Sequence, residues 1–188
     1  MKVLISDNLH QAGVDILQQH PNIEVDFRPG LSPEELKEAI QEADGLAIRS
    51  ATKVTADLID AAPRLKVIGR AGTGLDNVDI LTASKRGIVV MNTPGGNTIT
   101  TAEHAISMML ALARNIPQAA QTMREGLWEK KKYQGTEIFN KTLGIIGFGR
   151  IGSVVAERAL GLRMRVVVYD PFVTKESASA LGVELASL

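Results

Sequence analysis

Apolar and polar positions change period repeatedly along the first half of the chain. Five short runs rich in Val, Ile and Leu, at residues 2–6, 23–27, 46–49, 66–69 and 88–90, have the length and composition of strands. Between them apolar residues recur at helical spacing. Residues 9–19 carry such a stripe. Ser32-Pro33-Glu34-Glu35 joins an N-cap serine to a first-turn proline and to two acids that favour the positive end of a helix dipole. Residues 55–61, closed by Pro63, and 78–85, closed by Gly87, predict two more helices. Such alternation requires right-handed crossovers and gives an open α/β domain, its parallel sheet covered on both faces.

Asn92-Thr93-Pro94-Gly95-Gly96-Asn97 reads as a loop, and residues 98–114 follow as a helix that is apolar over most of its circumference. Burial, between domains or between subunits, is therefore expected for it. Thr100 and Glu103 have the spacing of a capping box, which gives Glu103 an ordinary structural task. Residues 117–125 predict another helix, and 128–132 a basic segment with one tryptophan.

Residues 141–146 read as a buried strand that runs directly into Gly147-Phe148-Gly149-Arg150-Ile151-Gly152, with helical character over 153–162. A lone Gly-x-Gly-x-x-Gly says little, but between a strand and a helix it is the signature of a dinucleotide site. Gly147 permits the tight turn, Gly149 a close approach of pyrophosphate to backbone, and Gly152 close packing of helix on strand. The helix N-terminus adds amides and a positive dipole. A second strand, 165–169, ends in Asp170, where an acid can bind the ribose hydroxyls and repel a 2′-phosphate; this favours NAD over NADP. The alternative for Asp170 is an aspartate that merely opens the turn at Pro171.

Composition sets the outer limits. With 21 basic and 21 acidic residues in 188, no global field draws the chain to nucleic acid or to an anionic membrane, so any anion must be held locally. There is no cysteine, which excludes disulfides and thiolate metal sites and suits a reducing cytoplasm. The first apolar run is too brief for a signal peptide, and no later one is long enough to span a membrane.

Three further segments carry a resemblance: Arg49-Ser50-Ala51-Thr52-Lys53-Val54-Thr55, Gly69-Arg70-Ala71-Gly72-Thr73-Gly74-Leu75-Asp76-Asn77-Val78-Asp79, and Val90-Met91-Asn92-Thr93-Pro94. Together with the glycine motif they resemble the D-isomer-specific 2-hydroxyacid dehydrogenases, and within them the members that oxidise 3-phosphoglycerate in the phosphorylated route to L-serine. The resemblance implies a flavodoxin-like open parallel sheet that binds substrate, over residues 1–95, followed by the first part of a Rossmann NAD-binding domain, over 96–188. It implies NAD as cofactor and a homo-oligomer, dimer or tetramer, in the complete enzyme. Matched position by position, Arg49 and Ser50 face substrate, as do the amides around Gly72 and Gly74, while Thr73 contacts cofactor. Arg150 and Ile151 match further cofactor contacts, and Lys130 falls near a basic position that some members use for the substrate phosphate. Each has an ordinary alternative: a surface ion pair for Arg49, a simple turn for the glycines, packing for Ile151 and a solvated basic face for Lys130-Lys131-Lys132.

The family's proton-transferring histidine, the glutamate that orients it and a carboxylate-clamping arginine lie downstream of residue 188. His10, His20 and His104 are expected to be structural or exposed, and an isolated chain to be poorly stable and without turnover. Two other functions stay open: a sister dehydrogenase acting on glyoxylate, lactate or another small acid, and a non-catalytic NAD-binding interaction protein.

Overall fold

The computed structural model describes residues 1–187 as two compact units, one running from Met1 to Gly96 and the other beginning at Asn97. In the first unit five strands, β1 (Lys2–Ile5), β2 (Glu24–Phe27), β3 (Gly45–Ile48), β4 (Val67–Arg70) and β5 (Val89–Asn92), form one parallel sheet in the order β2-β1-β3-β4-β5. The helices α1 (Gln11–Gln18), α2 (Pro33–Ala39), α3 (Ala56–Asp60) and α4 (Ile80–Lys85) connect them, and a turn of 3-10 helix, Ile40–Glu42, prolongs α2. The alternation implied the parallel sheet, and the order is the flavodoxin-like one that the resemblance implied.

Local chemistry explains where these helices begin. Ser32 caps α2 in a complete capping box, its hydroxyl accepting from Glu35 N–H while the Glu35 carboxylate accepts from Ser32 N–H at 2.8 Å. Thr55 caps α3 and Asp79 caps α4 through their side-chain oxygens. One face of the sheet buries Leu4, Leu46, Ile48 and Ile68 against Ile40, Leu58 and Ile59; the other covers Val3 and Ile5 with Val14 of α1. β1 and β3, paired in parallel at the centre, are the most apolar strands because both faces are covered.

The second unit contains α5 (Thr98–Ala113), α6 (Ile116–Arg124), β6 (Thr142–Ile146), α7 (Arg150–Gly161), β7 (Arg165–Tyr169), α8 (Lys175–Ala180) and β8 (Glu184–Leu185). Its strands are parallel in the order β6-β7-β8, and Val166, Val168, Ala156 and Ala159 make the core with Ile106 and Met109 of α5 alongside.

Two expectations are corrected here. The capping box at Thr100 and Glu103 does not form, because α5 starts at Thr98: Gly95, at φ 93°, has already turned the chain, and neither Thr98 nor Ile99 obstructs a helix. Within the single chain α5 keeps only Ala102 fully covered and leaves Ile99, Met108 and Leu112 exposed, the side chains that burial between subunits would cover. Finally, α7 begins at Arg150, three residues before the expected start, so the last residue of the glycine motif sits in its first turn.

Candidate functional site

The glycine motif folds into a turn whose three glycines have different tasks. Gly147 lies at φ 90°, in the left-handed region, and its N–H donates to the Tyr169 carbonyl at 2.8 Å, which ties the end of β6 to the end of β7. A β-carbon on Gly149, the N-cap of α7, would meet no atom within 4 Å, so the backbone there is open to an incoming group. A β-carbon on Gly152 would collide with the Gly147 carbonyl oxygen and press on Ile145, so only glycine lets α7 pack this closely on the turn. Arg150 is exposed on the first turn of the helix and Ile151 is half-buried.

Asp170 follows β7 and completes the arrangement. Its Oδ2 accepts from the Phe148 N–H at 2.8 Å and its Oδ1 from the Phe172 N–H at 2.8 Å. Each carboxylate oxygen can accept a second bond, so the side chain is held in place without being used up. An open glycine backbone, the N-terminus of a helix of more than three turns and an oriented acid beside them are what a dinucleotide pyrophosphate and ribose require. The residues present fit that group.

In the first unit two loops come together. Arg49 and Ser50 leave the end of β3 with exposed side chains, and the guanidinium spends one donor on the Asn8 carbonyl at 3.3 Å. The backbone beneath them is held by Asp7, which is 4% exposed. Its carboxylate accepts from Arg49 N–H at 2.6 Å, from Thr52 N–H at 3.1 Å and from the Thr52 hydroxyl at 2.6 Å. On the opposite side Asn77, from the loop after β4, donates its amide to the carbonyls of Arg49 at 2.8 Å and Thr52 at 2.7 Å.

That second loop carries Gly72, Thr73 and Gly74. Gly72 N–H donates to the Arg70 carbonyl at 2.9 Å, the Gly72 carbonyl accepts from Thr93 N–H at 2.9 Å, and the Thr73 carbonyl accepts from Asn92 Nδ2 at 2.6 Å. The Arg70 guanidinium lies against the turn: β-carbons built on Gly72 and Gly74 would stand 3.3 Å from Nε and 3.1 Å from Nη1. Arg70 pairs with Asp76 at 2.7 Å, and this hydrogen bond holds the Asp76 carboxyl below its ordinary range. With the charge of Arg70 met by Asp76, whose carboxylate would stand 2.9 Å from a β-carbon on Gly74, what the turn offers an anion is its glycine-flanked backbone.

The structure thus brings Arg49, Ser50, Gly72, Thr73 and Gly74 into one hydrogen-bonded pair of loops, and Gly147, Gly149, Arg150, Ile151, Gly152 and Asp170 into another group. Lys130 is exposed in the turn after Trp128, and among the described residues of its own unit no hydrogen bond or ion pair ties it to the glycine turn or to Asp170. His10 caps α1 by accepting from Ala12 N–H at 3.2 Å, His20 accepts from Asn22 N–H at 3.3 Å, and His104 is exposed on α5. A groove walled by Leu31, Leu36 and Leu58 also opens in the first unit; it touches Asp7 and Thr52 but neither Arg49 nor the glycine turn, so it is not the anion site. Asp7, Arg70 and Asn77 were missed by sequence reasoning. Arg70 and Asn77 stand inside a quoted motif, so their position beside Gly72 and Gly74 was the available signal.

Comparison with known proteins adds the family. The model described as "D-isomer specific 2-hydroxyacid dehydrogenase, catalytic domain" matches residues 3–187. A D-3-phosphoglycerate dehydrogenase of Archaeoglobus fulgidus is 51% identical over 185 residues, which are 98% of this chain and 35% of that protein. The human D-3-phosphoglycerate dehydrogenase is 50% identical over 183 residues, 97% of this chain and 34% of that protein. The chain therefore spans about a third of the length of the curated relatives it matches. Among solved structures, the NAD+-bound 3-phosphoglycerate dehydrogenase of Entamoeba histolytica superposes with a TM-score of 0.76 at 36% identity, covering 94% of this chain and 56% of that one.

Proposed function

The chain belongs to the D-isomer specific 2-hydroxyacid dehydrogenases, and on that premise we propose that it supplies the substrate-anion loops and the dinucleotide turn for an NAD-dependent oxidation of 3-phosphoglycerate to 3-phosphohydroxypyruvate, the entry to phosphorylated L-serine synthesis. The observation that carries the cofactor half is the bond from Phe148 N–H to the Asp170 carboxylate, which joins the glycine turn and the acid into one cradle. NAD, when bound, accepts a hydride from the carbon that bears the substrate hydroxyl.

Binding and orientation fall to the chain. The amides at the start of α7, exposed beside Gly149, hold the pyrophosphate, with Arg150 and Ile151 at its edge. Asp170 turns its remaining acceptor capacity to the adenosine ribose hydroxyls and repels a 2′-phosphate. Arg49, with most of its guanidinium donors unspent, binds carboxylate or phosphate oxygens through its planar fork. Ser50 and the Gly74 amide orient the same anion; Gly72, whose own N–H is spent on the Arg70 carbonyl, and Thr73, as a cofactor contact, are assigned on resemblance. Lys130 is assigned to the substrate phosphate on resemblance alone. The substrate domain is residues 1–95 and the cofactor domain 96–188. No histidine of the chain stands in either loop group, so binding without turnover is the expected behaviour of the chain itself.

A second copy of the chain is the expected partner, seated on the exposed apolar face of α5. No helix among the described residues is long and apolar enough to cross a membrane, and a cytoplasmic location agrees with the lack of cysteine. Separate calorimetric titrations with NAD, NADP and 3-phosphoglycerate test the proposal. Saturable heat with NAD and with 3-phosphoglycerate, and much weaker heat with NADP, is expected; a chain that is folded by circular dichroism yet binds none of them overturns it.

A further inference from the structure

Arg49 can select an anion only if the backbone beneath it stays put, because a fork that binds two oxygens at once loses its advantage when it is displaced by about 1 Å. Loops that leave a strand end are rarely rigid by themselves. Here both kinds of backbone group at Arg49 and at Thr52 are held, and by only two side chains. Asp7 takes both N–H groups, at 2.6 Å and 3.1 Å, and Asn77 gives its amide to both carbonyls, at 2.8 Å and 2.7 Å. The two clamps reach the loop from different elements, the end of β1 and the loop after β4.

The second clamp has a further consequence. Asn77 lies three residues past Gly74, on the same loop as the Gly72-Thr73-Gly74 turn. Immediately beyond the clamp, Val54 N–H donates to the Asn77 carbonyl at 2.8 Å and Asp79 N–H to the Val54 carbonyl at 2.8 Å, forming an isolated parallel bridge between Val54 and Val78. The loop bearing the guanidinium and the loop bearing the glycine amides are therefore stapled into one body.

Resting on the reading of these loops as the substrate-anion site, we propose that Asp7 and Asn77 are a pair of positioning residues that fix Arg49 against the Gly72–Gly74 turn, and so set the spacing of oxygens the site accepts. Neither touches the substrate. Asp7 is buried and already accepts three hydrogen bonds, and Asn77 spends its donors on two carbonyls while its buried Oδ1 has no partner. The amide thus grips through its NH2 end alone, and Asn77→Asp, which keeps the shape but replaces the donors with a second oxygen, removes the grip.

The test is a thermodynamic cycle on the full chain with 3-phosphoglycerate as the probe, using Asn77→Asp, Asp7→Asn, Arg49→Lys and the double variants. Each clamp variant is expected to bind the probe about 10-fold more weakly while its NAD affinity, carried chiefly by the glycine turn and Asp170 of the other unit, falls by much less. In the Arg49→Lys background the clamp variants should cost little more, since their effect passes through the fork, whereas a general loss of stability would add in full and would lower NAD affinity by as much. Faster amide exchange at Arg49 and Thr52 in Asn77→Asp accompanies the expected result. Clamp variants that bind the probe as tightly as the parent, in a chain where Arg49→Lys does not, overturn this inference and leave the proposed function standing. Probe affinity insensitive to Arg49→Lys overturns the reading of the site, and the inference with it.

Discussion

The amide of Phe148 and the carboxylate of Asp170, 22 residues apart in the chain, meet at 2.8 Å, so the dinucleotide turn and the acid beside it are one hydrogen-bonded unit. Disturbing either end disturbs both, and this separates Asp170 from a residue that merely touches ribose.

Replacing Asp170 by Ala removes the acceptor of two backbone amides together with the ribose ligand. NAD affinity should fall by about 10- to 100-fold, the worth of one or two hydrogen bonds to a charged group, while the preference for NAD over NADP narrows. Parallel calorimetric titrations read both. An Asp170→Ala chain that still rejects NADP as the parent does would show that selectivity lies elsewhere.

Two glycines that look alike in the motif should respond differently to the same change. Gly152→Ala drives a β-carbon into the Gly147 carbonyl and is expected to cost about 1–3 kcal/mol of stability as well as NAD binding. Gly149→Ala meets nothing in the protein, so the melting temperature should hold while NAD binding is lost to the methyl in the path of the pyrophosphate. Thermal melts beside NAD titrations distinguish the two; equal loss of stability in both variants would contradict the assignment.

Acid should loosen the first unit. The Glu35 carboxyl is held below its ordinary range chiefly by the Ser32 N–H, and that of Asp44 chiefly by the Lys2 N–H at 2.9 Å. Because the folded values are depressed, their contribution is complete above the unfolded carboxylate range and disappears as pH falls through the lower folded values. The unfolding midpoint should therefore be level from pH 7 to about 5 and decline below about 4. Asp44→Asn should start lower at neutral pH and decline less steeply, and a parallel decline in parent and variant would count against this account.

Helix α5 makes the case for self-association. Ile99, Met108 and Leu112 are about half or more exposed, at 49%, 61% and 76%. Sedimentation should show mass rising with concentration, and Met108→Lys with Leu112→Lys should abolish that rise while NAD binding persists. A parent chain that is monomeric at every concentration would remove α5 as an interface.

How much of this was visible beforehand depended on the range of the interactions. β7 was located at both ends and β1 to β6 within one or two residues, because a β-branched run bounded by turn residues is a local signal. The cap at Ser32 was local too. Helix α8 went unread because Lys-Glu-Ser-Ala-Ser-Ala carries no apolar stripe; it is held by its Thr174 cap and by burial of Ala178. The exposure of α5 could not be read, since composition reports what a helix could bury and not what stands beside it. In the site, the glycines, Asp170 and Arg49 were legible through motif and resemblance. The parts played by Asp7 and Asn77 were not, because an aspartate that binds amides 42 and 45 residues away leaves no periodicity behind.

The strand order also bears on how the molecule comes into being. Each neighbouring pair in the first sheet joins consecutive strands, except β1 with β3, where Val3 meets Gly45; the other pairings span roughly half that length of chain. Closing the longer loop costs about 0.6 kcal/mol more in entropy for each doubling of length, and contacts of high sequence separation slow folding. Asp7 finds Arg49 and Thr52 only when that pairing closes. The anion loops thus belong to the slowest-forming register of the sheet, and during synthesis no part of them can be set until β3 has left the ribosome.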